Sequence, residues 1–147
     1  MDIIEKLPLT KENVENTLKE LGATDFTYPE EPWMYFRINS RHYALFTAAP
    51  PVVKLMAGGQ LSEEYDLELA KKTAENINKD SIGLYIQVED DRSMAIVAFS
   101  TAVTCYTLQE ILPPMSAYLD EAYLQFLNHY SAAISASKKP KSKKIVS

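Results

Sequence analysis

A single cysteine, Cys105, leaves this chain unable to close an intramolecular disulfide, and the repeated Cys and His spacings of a zinc module are missing. A reducing compartment suits such a chain. Met1 to Pro8 carries Asp2 and Glu5 where a signal peptide would carry a basic start and an apolar core, and no run of about 18 apolar residues follows. The expectation is a cytoplasmic protein with no membrane association. Glycine is scarce as well. The pair Gly58-Gly59 is followed by no Lys-Ser or Lys-Thr, and Glu63, Glu64 and Asp66 would repel an anion, which excludes a phosphate-cradling loop there.

Positive charge is sparse except at the end. Of 15 basic residues, Lys138, Lys139, Lys141, Lys143 and Lys144 fall in the final stretch, so residues 1–137 carry 10 basic against 20 acidic side chains, a net of −10. So acidic a body lacks the basic stripe that displaces counterions from phosphates, which excludes a general nucleic-acid surface. The tail, residues 135–147, has few apolar side chains to offset the entropy of ordering and reads as disordered. Residues 1–134 remain as a single domain, large enough for one hydrophobic core.

What is present is an ordered series of periodicities. Thr10 is placed to cap a first helix, Leu9 and Val14 have the spacing of a hydrophobic staple, and Val14, Leu18 and Leu21 recur at helical intervals before Gly22. Trp33 to Ile38 and Arg41 to Thr47, divided by Asn39-Ser40, predict a hairpin. Pro50-Pro51 turns the chain into a third strand, Val52 to Met56, which Gly58-Gly59 is expected to close. Ser62 then caps a second helix with Leu67, Ala70, Ala74 and Ile77 on one face. Ile82, Leu84, Ile86 and Val88 alternate with other residues, and the turn Glu89 to Ser93 leads into a return strand, Met94 to Val103. Thr107 to Glu110 has the form of a capping box, Pro113 and Pro114 predict a break, and the closing helix restarts near Pro114. Met115, Leu119, Ala122, Phe126 and Tyr130 mark its apolar face. The whole predicts an α+β domain in the order α-β-β-β-α-β-β-α, a five-stranded antiparallel sheet with helices packed on it.

From Thr10 to Ala133 this order resembles the fold of type III secretion chaperones and of the bacterial YbjN-like proteins. The likeness is carried by Glu75-Asn76-Ile77-Asn78 ahead of a strand, by the Glu89 to Ser93 turn, and by Thr107-Leu108 before a closing helix that holds Phe126. The resemblance implies a small acidic homodimer that binds a partner protein in extended form in apolar grooves, without catalysis or cofactor. A partner strand would then add to an exposed sheet edge while its side chains fill pockets. Trp33, Tyr35, Tyr118 and Tyr123 are the candidate protein-binding residues, since large rings with polar tips suit surfaces that are alternately wet and covered. The other reading of these rings is that they complete the core.

Chemistry finds little support. Cys105, His42 and His129 would supply a thiol and a base, yet they fall at a strand end, in a hairpin and in a late helix, with nothing to bring them together. Glu89-Asp90-Asp91 lacks the alternating oxygen ligands and closing glutamate of a calcium loop. No catalytic residue, metal ligand or cofactor is assigned. Two further classes stay open: a small ligand-binding domain or enzyme with a pocket between the closing helix and the sheet, and a structural subunit of a larger assembly.

Overall fold

In the computed structural model the backbone is described for residues 7–146 and the side chains for residues 7–137. The chain runs α1 (Lys11–Glu20), β1 (Thr24–Thr27), β2 (Met34–Ile38), β3 (Arg41–Ala49), β4 (Val52–Gln60), α2 (Leu67–Asp80), β5 (Leu84–Val88), β6 (Ser93–Thr101) and α3 (Cys105–Val146). It is α+β, as expected, with one antiparallel sheet in the order β1-β2-β3-β4-β6-β5. The sheet has six strands rather than five. β1 is four residues long, with Asp25 at a φ of 58° and a register shift against β2, so it offers no alternation to read.

Gly58 and Gly59 lie inside β4, which pairs with β6 from Val52 opposite Thr101 to Gln60 opposite Ser93. A Cβ at Gly58 would stand 3.1 Å from the Met94 carbonyl oxygen. Glycine is there because two backbones come close, and it does not stop the strand. Ile82, placed by alternation with the strand, is instead 89% exposed ahead of β5.

The first helix starts as expected, with Thr10 Oγ1 accepting from the Asn13 amide at 3.2 Å. The second does not. Its cap is Asp66, whose carboxylate accepts from the Leu69 amide at 3.1 Å, while Ser62 lies in a loop held by Arg92, whose guanidinium donates to the carbonyls of Ser62 and Tyr65. α3 begins at Cys105, with Thr104 Oγ1 accepting from the Thr107 amide at 3.3 Å, and it continues through Pro113 and Pro114. Each proline in a helix interior costs about 3 kcal/mol. Leu108, Leu112, Met115 and Leu119 are all buried across that stretch, at roughly 2 kcal/mol each, and their packing holds the helix together. The expected tail, residues 135–147, starts within α3, and its basic run from Lys138 to Lys144 lies outside the described side chains.

The core lies on one side of the sheet. Val14 and Leu18 of α1, Ala70, Ala74 and Ile77 of α2, and Leu108, Leu119 and Phe126 of α3 close over Phe36, Leu45, Leu55, Ile86 and Ile96. Among the described residues no element packs on the other side, and no helix is long and apolar enough to cross a membrane.

Candidate functional site

Side chains alternate along a strand, so the residues between core positions all face away from the helices. One row across the sheet is Tyr35, Ala44, Met56, Val97 and Tyr85, each paired with the next. A second row is Phe46, Lys54 and Phe99, and the Trp33 ring joins it 5.6 Å from Phe46. The Lys54 amine stands 5.0 Å and 5.7 Å from the centroids of the Phe46 and Phe99 rings, so its stem extends the apolar surface and its charge rests on ring faces. Tyr85 and Phe99 are 46% and 42% exposed. Among the described residues nothing covers this apolar patch.

The charge on this face sets it apart from the rest of the molecule. Residues 32–62 contain no Asp or Glu, and β5 and β6 contain none either, in a chain with 20 carboxylates. Lys54 and the Arg37–His42 pair bring the only formal or potential cations, and Arg37 is matched by Asp25 of β1 at 2.7 Å. This gap in the acidic residues is visible in the sequence and is the signal that periodicity overlooked.

Both edges of the sheet are blunted. Ile86 of β5 donates its amide to Asn78 Oδ1 at 2.8 Å and accepts from Asn78 Nδ2 at 2.9 Å, so one side chain stands where a neighbouring strand would pair. The other edge is the short, irregular β1. Strand addition at an edge is therefore obstructed at its middle on one side and short of partners on the other.

The four candidate rings divide between two regions. Trp33 and Tyr35 are half-buried on the open face, where burial and the nearby Glu30 raise the Tyr35 phenol above its ordinary pKa. Tyr118 and Tyr123 lie on α3, on the helix side. The Tyr118 hydroxyl donates to the Ile82 carbonyl at 2.9 Å, and Tyr123 lines a cavity with Tyr65.

Two cavities flank α3 on that helix side. One, about 260 Å³, is lined by Leu18 and Leu21 of α1, by Phe36 and Leu55 of the sheet and by Leu112 and Pro113 of α3. The other, about 380 Å³, lies over Ala57, Gly59 and Met94, beneath Leu119 and Tyr123. Arg41 borders both and is the sole charged residue lining either. It is paired with Asp120 of α3, whose Oδ1 is shut off from solvent and has no other partner among the described residues. Beside it the hydroxyls of Tyr43 and Ser116 are 2.9 Å apart.

The other sequence candidates stay separate. Cys105 is buried, with its Sγ donating to the Pro8 carbonyl at 3.5 Å, while His42 and His129 are exposed on β3 and α3. At the acidic turn Asp90 pairs with Lys71, Asp91 accepts from the Ser93 amide at 2.9 Å, and Glu89 accepts from Gln87. Hydrogen bonds from Ser93 hold the Asp91 carboxyl below its ordinary pKa. Among the described residues no three His, Cys, Asp or Glu side chains converge to hold a metal ion.

No family model matches this chain, and no curated protein matches it. Its architecture does recur in the crystal structure of an uncharacterized protein from Methanothermobacter thermautotrophicus. That structure aligns with a TM-score of 0.55 at 14% identity, over 85% of this chain and 99% of the other. The likeness is one of fold alone.

Proposed function

We propose that this chain is a non-enzymatic protein-binding module, chaperone-like or regulatory, and that it assembles as a homodimer through its open sheet face. The observation that carries this reading is an apolar face on which strands β2 to β6 carry no carboxylate, in an otherwise acidic molecule; Asp25, at the β1 edge, is taken up by Arg37. Two copies meeting elsewhere would bring carboxylates together; meeting here they keep them apart. A relationship to the secretion chaperones or YbjN-like proteins fits the same reading, as does a cytoplasmic location, where Cys105 stays a thiol.

The dimensions favour a second copy as the occupant. Six strands at about 4.8 Å spacing give a face roughly 24 Å across, about 30 Å long over the nine-residue strands β3, β4 and β6 and roughly half that over β1, β2 and β5. Roughened by rings, such a face approaches the roughly 800 Å² per partner of a standard interface. Sheets packed face to face sit about 10 Å apart with side chains interdigitated, which would convert a half-covered sheet into a closed sandwich. Lys54 stands toward the Pro51 end of β4, so a two-fold axis over Met56 sends the two amines to opposite ends.

The test is light scattering behind size exclusion, at several concentrations, on the natural chain and a Phe46→Asp, Phe99→Asp double variant. The natural chain is expected to be a dimer and the variant a monomer with an unchanged circular dichroism spectrum. Lys54→Met should tighten the dimer by roughly tenfold, because a desolvated amine is replaced by a thioether. A natural chain that stays monomeric at its highest soluble concentration defeats the homodimer, and a foreign protein then becomes the occupant to seek. A variant that stays dimeric moves the seam off this face.

A further inference from the structure

We infer that the two cavities flanking α3 form a binding site for an amphipathic carboxylate, a medium-chain fatty acid or a similar apolar acid, whose head replaces Asp120 on Arg41. The site lies on the helix side of the sheet and does not depend on the homodimer proposed for the other side.

The chemistry of the lining decides the class of ligand. The smaller cavity, at about 260 Å³, exceeds the roughly 150 Å³ that houses benzene in an apolar protein interior, so it has room for an aliphatic chain of several carbons. Its walls are Leu18, Leu21, Phe36, Leu55 and Leu112, which an alkyl chain matches and a sugar or nucleotide does not. One formal charge borders it, the guanidinium of Arg41, a rigid fork of donors suited to a carboxylate. A neutral apolar ligand would leave that fork on Asp120 and gain nothing from it. A cationic one would be repelled by it.

Arg41 is held at this junction by the chain around it. Asn39 and Ser40, at φ values of 51° and 69°, make the tight turn between β2 and β3, and the strand then delivers Arg41 to the same side as Tyr43 and the helices. Its present partner is another carboxylate, Asp120, so the structure already contains a stand-in for the ligand's head. The side chains of that pair are 49% and 43% exposed, while the contacting Asp120 Oδ1 is itself shut off from solvent, so a ligand's carboxylate would take over a sheltered contact whose rim is open to water. Arg41 lines both cavities, so a head held there has an apolar chamber on either side for its chain. The hydroxyls of Tyr43 and Ser116 stand ready to donate to a second carboxylate oxygen.

Calorimetric titration of the full chain with sodium octanoate, and separately with octan-1-ol, tests the inference. Octanoate should bind at least roughly tenfold more tightly than the alcohol, and Arg41→Gln should erase that difference while leaving alcohol binding unchanged. Asp120→Asn should strengthen octanoate binding several-fold by freeing Arg41, an effect that non-specific uptake of an alkyl chain would not show. Amide shifts should centre on Tyr43, Leu112, Met115 and Ser116, and Phe46→Asp on the open face should leave them unaltered. The inference is overturned by equal affinity for acid and alcohol, by octanoate binding that survives Arg41→Gln, by a loss of affinity in Asp120→Asn, or by shifts confined to the open face. If Arg41→Gln fails to fold, the Asp120→Asn result decides.

Discussion

The two sides of this sheet are made from alternate residues of the same strands, and both are rich in aromatic and aliphatic groups. Phe36 is 3% exposed and Phe99 is 42% exposed; Tyr43 is buried and hydrogen-bonded beneath α3, while Tyr85 stands 46% exposed. Apolar character therefore does not separate the sides. What separates them is the cover that the connections supply: every helix returns to one side, and among the described residues all carboxylates but Asp25 of β1 sit on helices, loops and turns. The uncovered side is therefore where the proposed second copy would pack, and the cavities under α3 on the covered side have room only for something small.

The largest test of this contrast compares two phenylalanines. Phe126→Ala, beneath the helices, should lower stability by about 3–5 kcal/mol, whereas Phe99→Ala on the open side should cost under about 1 kcal/mol in the monomer, both read by urea unfolding at low protein concentration. Similar losses would mean that the open side is covered in solution even at dilution. A middle-sized effect is expected at the edge. Asn78→Ala removes two hydrogen bonds to Ile86, which should cost about 1–2 kcal/mol and bring on concentration-dependent aggregation, followed by turbidity on mild heating. If solubility is unchanged, the edge of β5 needs no blunting, and strand addition regains its place as a binding mode.

The smallest effect is at the rim of the covered side. Burial first, and then the hydrogen bond and charge of Glu15, push the Tyr28 phenol up to about 12 from 10.0. A raised folded value means that the protonated phenol stabilises the fold. That contribution is complete below pH 10 and is lost as pH climbs to about 12. The same contact lowers the Glu15 pKa, so its share is present at neutral pH and lost in acid. Absorbance titration should find late-ionising tyrosines, the latest of which disappears in Tyr28→Phe, and the stability gap between the natural chain and that variant should close over that alkaline window. A gap that persists well above pH 12 would mean that the Tyr28 oxygen stabilises the fold by something other than the proton it shares with Glu15.

Much of this was legible in the sequence. Thr10 with Val14 and Leu18, the hairpin at Asn39-Ser40, and the alternation of Leu84, Ile86 and Val88 express local rules, and the structure follows them. The readings that failed did so where tertiary contacts overrode local ones. Gly58 serves the close approach of β6, Asp66 displaces Ser62 as a cap because Arg92 holds the loop between them, and burial on both flanks carries α3 across its prolines. The site was legible in part. Trp33 and Tyr35 do share the open face, but Tyr118 and Tyr123 were grouped with them on ring chemistry alone, and ring chemistry does not tell which side of a sheet a helix will cover. Arg41 was passed over because its significance depends on two cavities that exist only once α3 has docked.

The prolines of α3 have a mechanical consequence. Without amide hydrogens, Pro113 and Pro114 leave the carbonyls of Gln109 and Glu110 without their helical donors, so α3 is two rods in series joined at a softer coupling. The first rod is anchored to the segment ahead of α1, through the Cys105 amide on the Leu7 carbonyl and the bridge between Pro8 and Thr104. The second lies on the sheet. Because Pro113 is also part of a cavity wall, a bend at the coupling would reshape the chamber beside Arg41 directly.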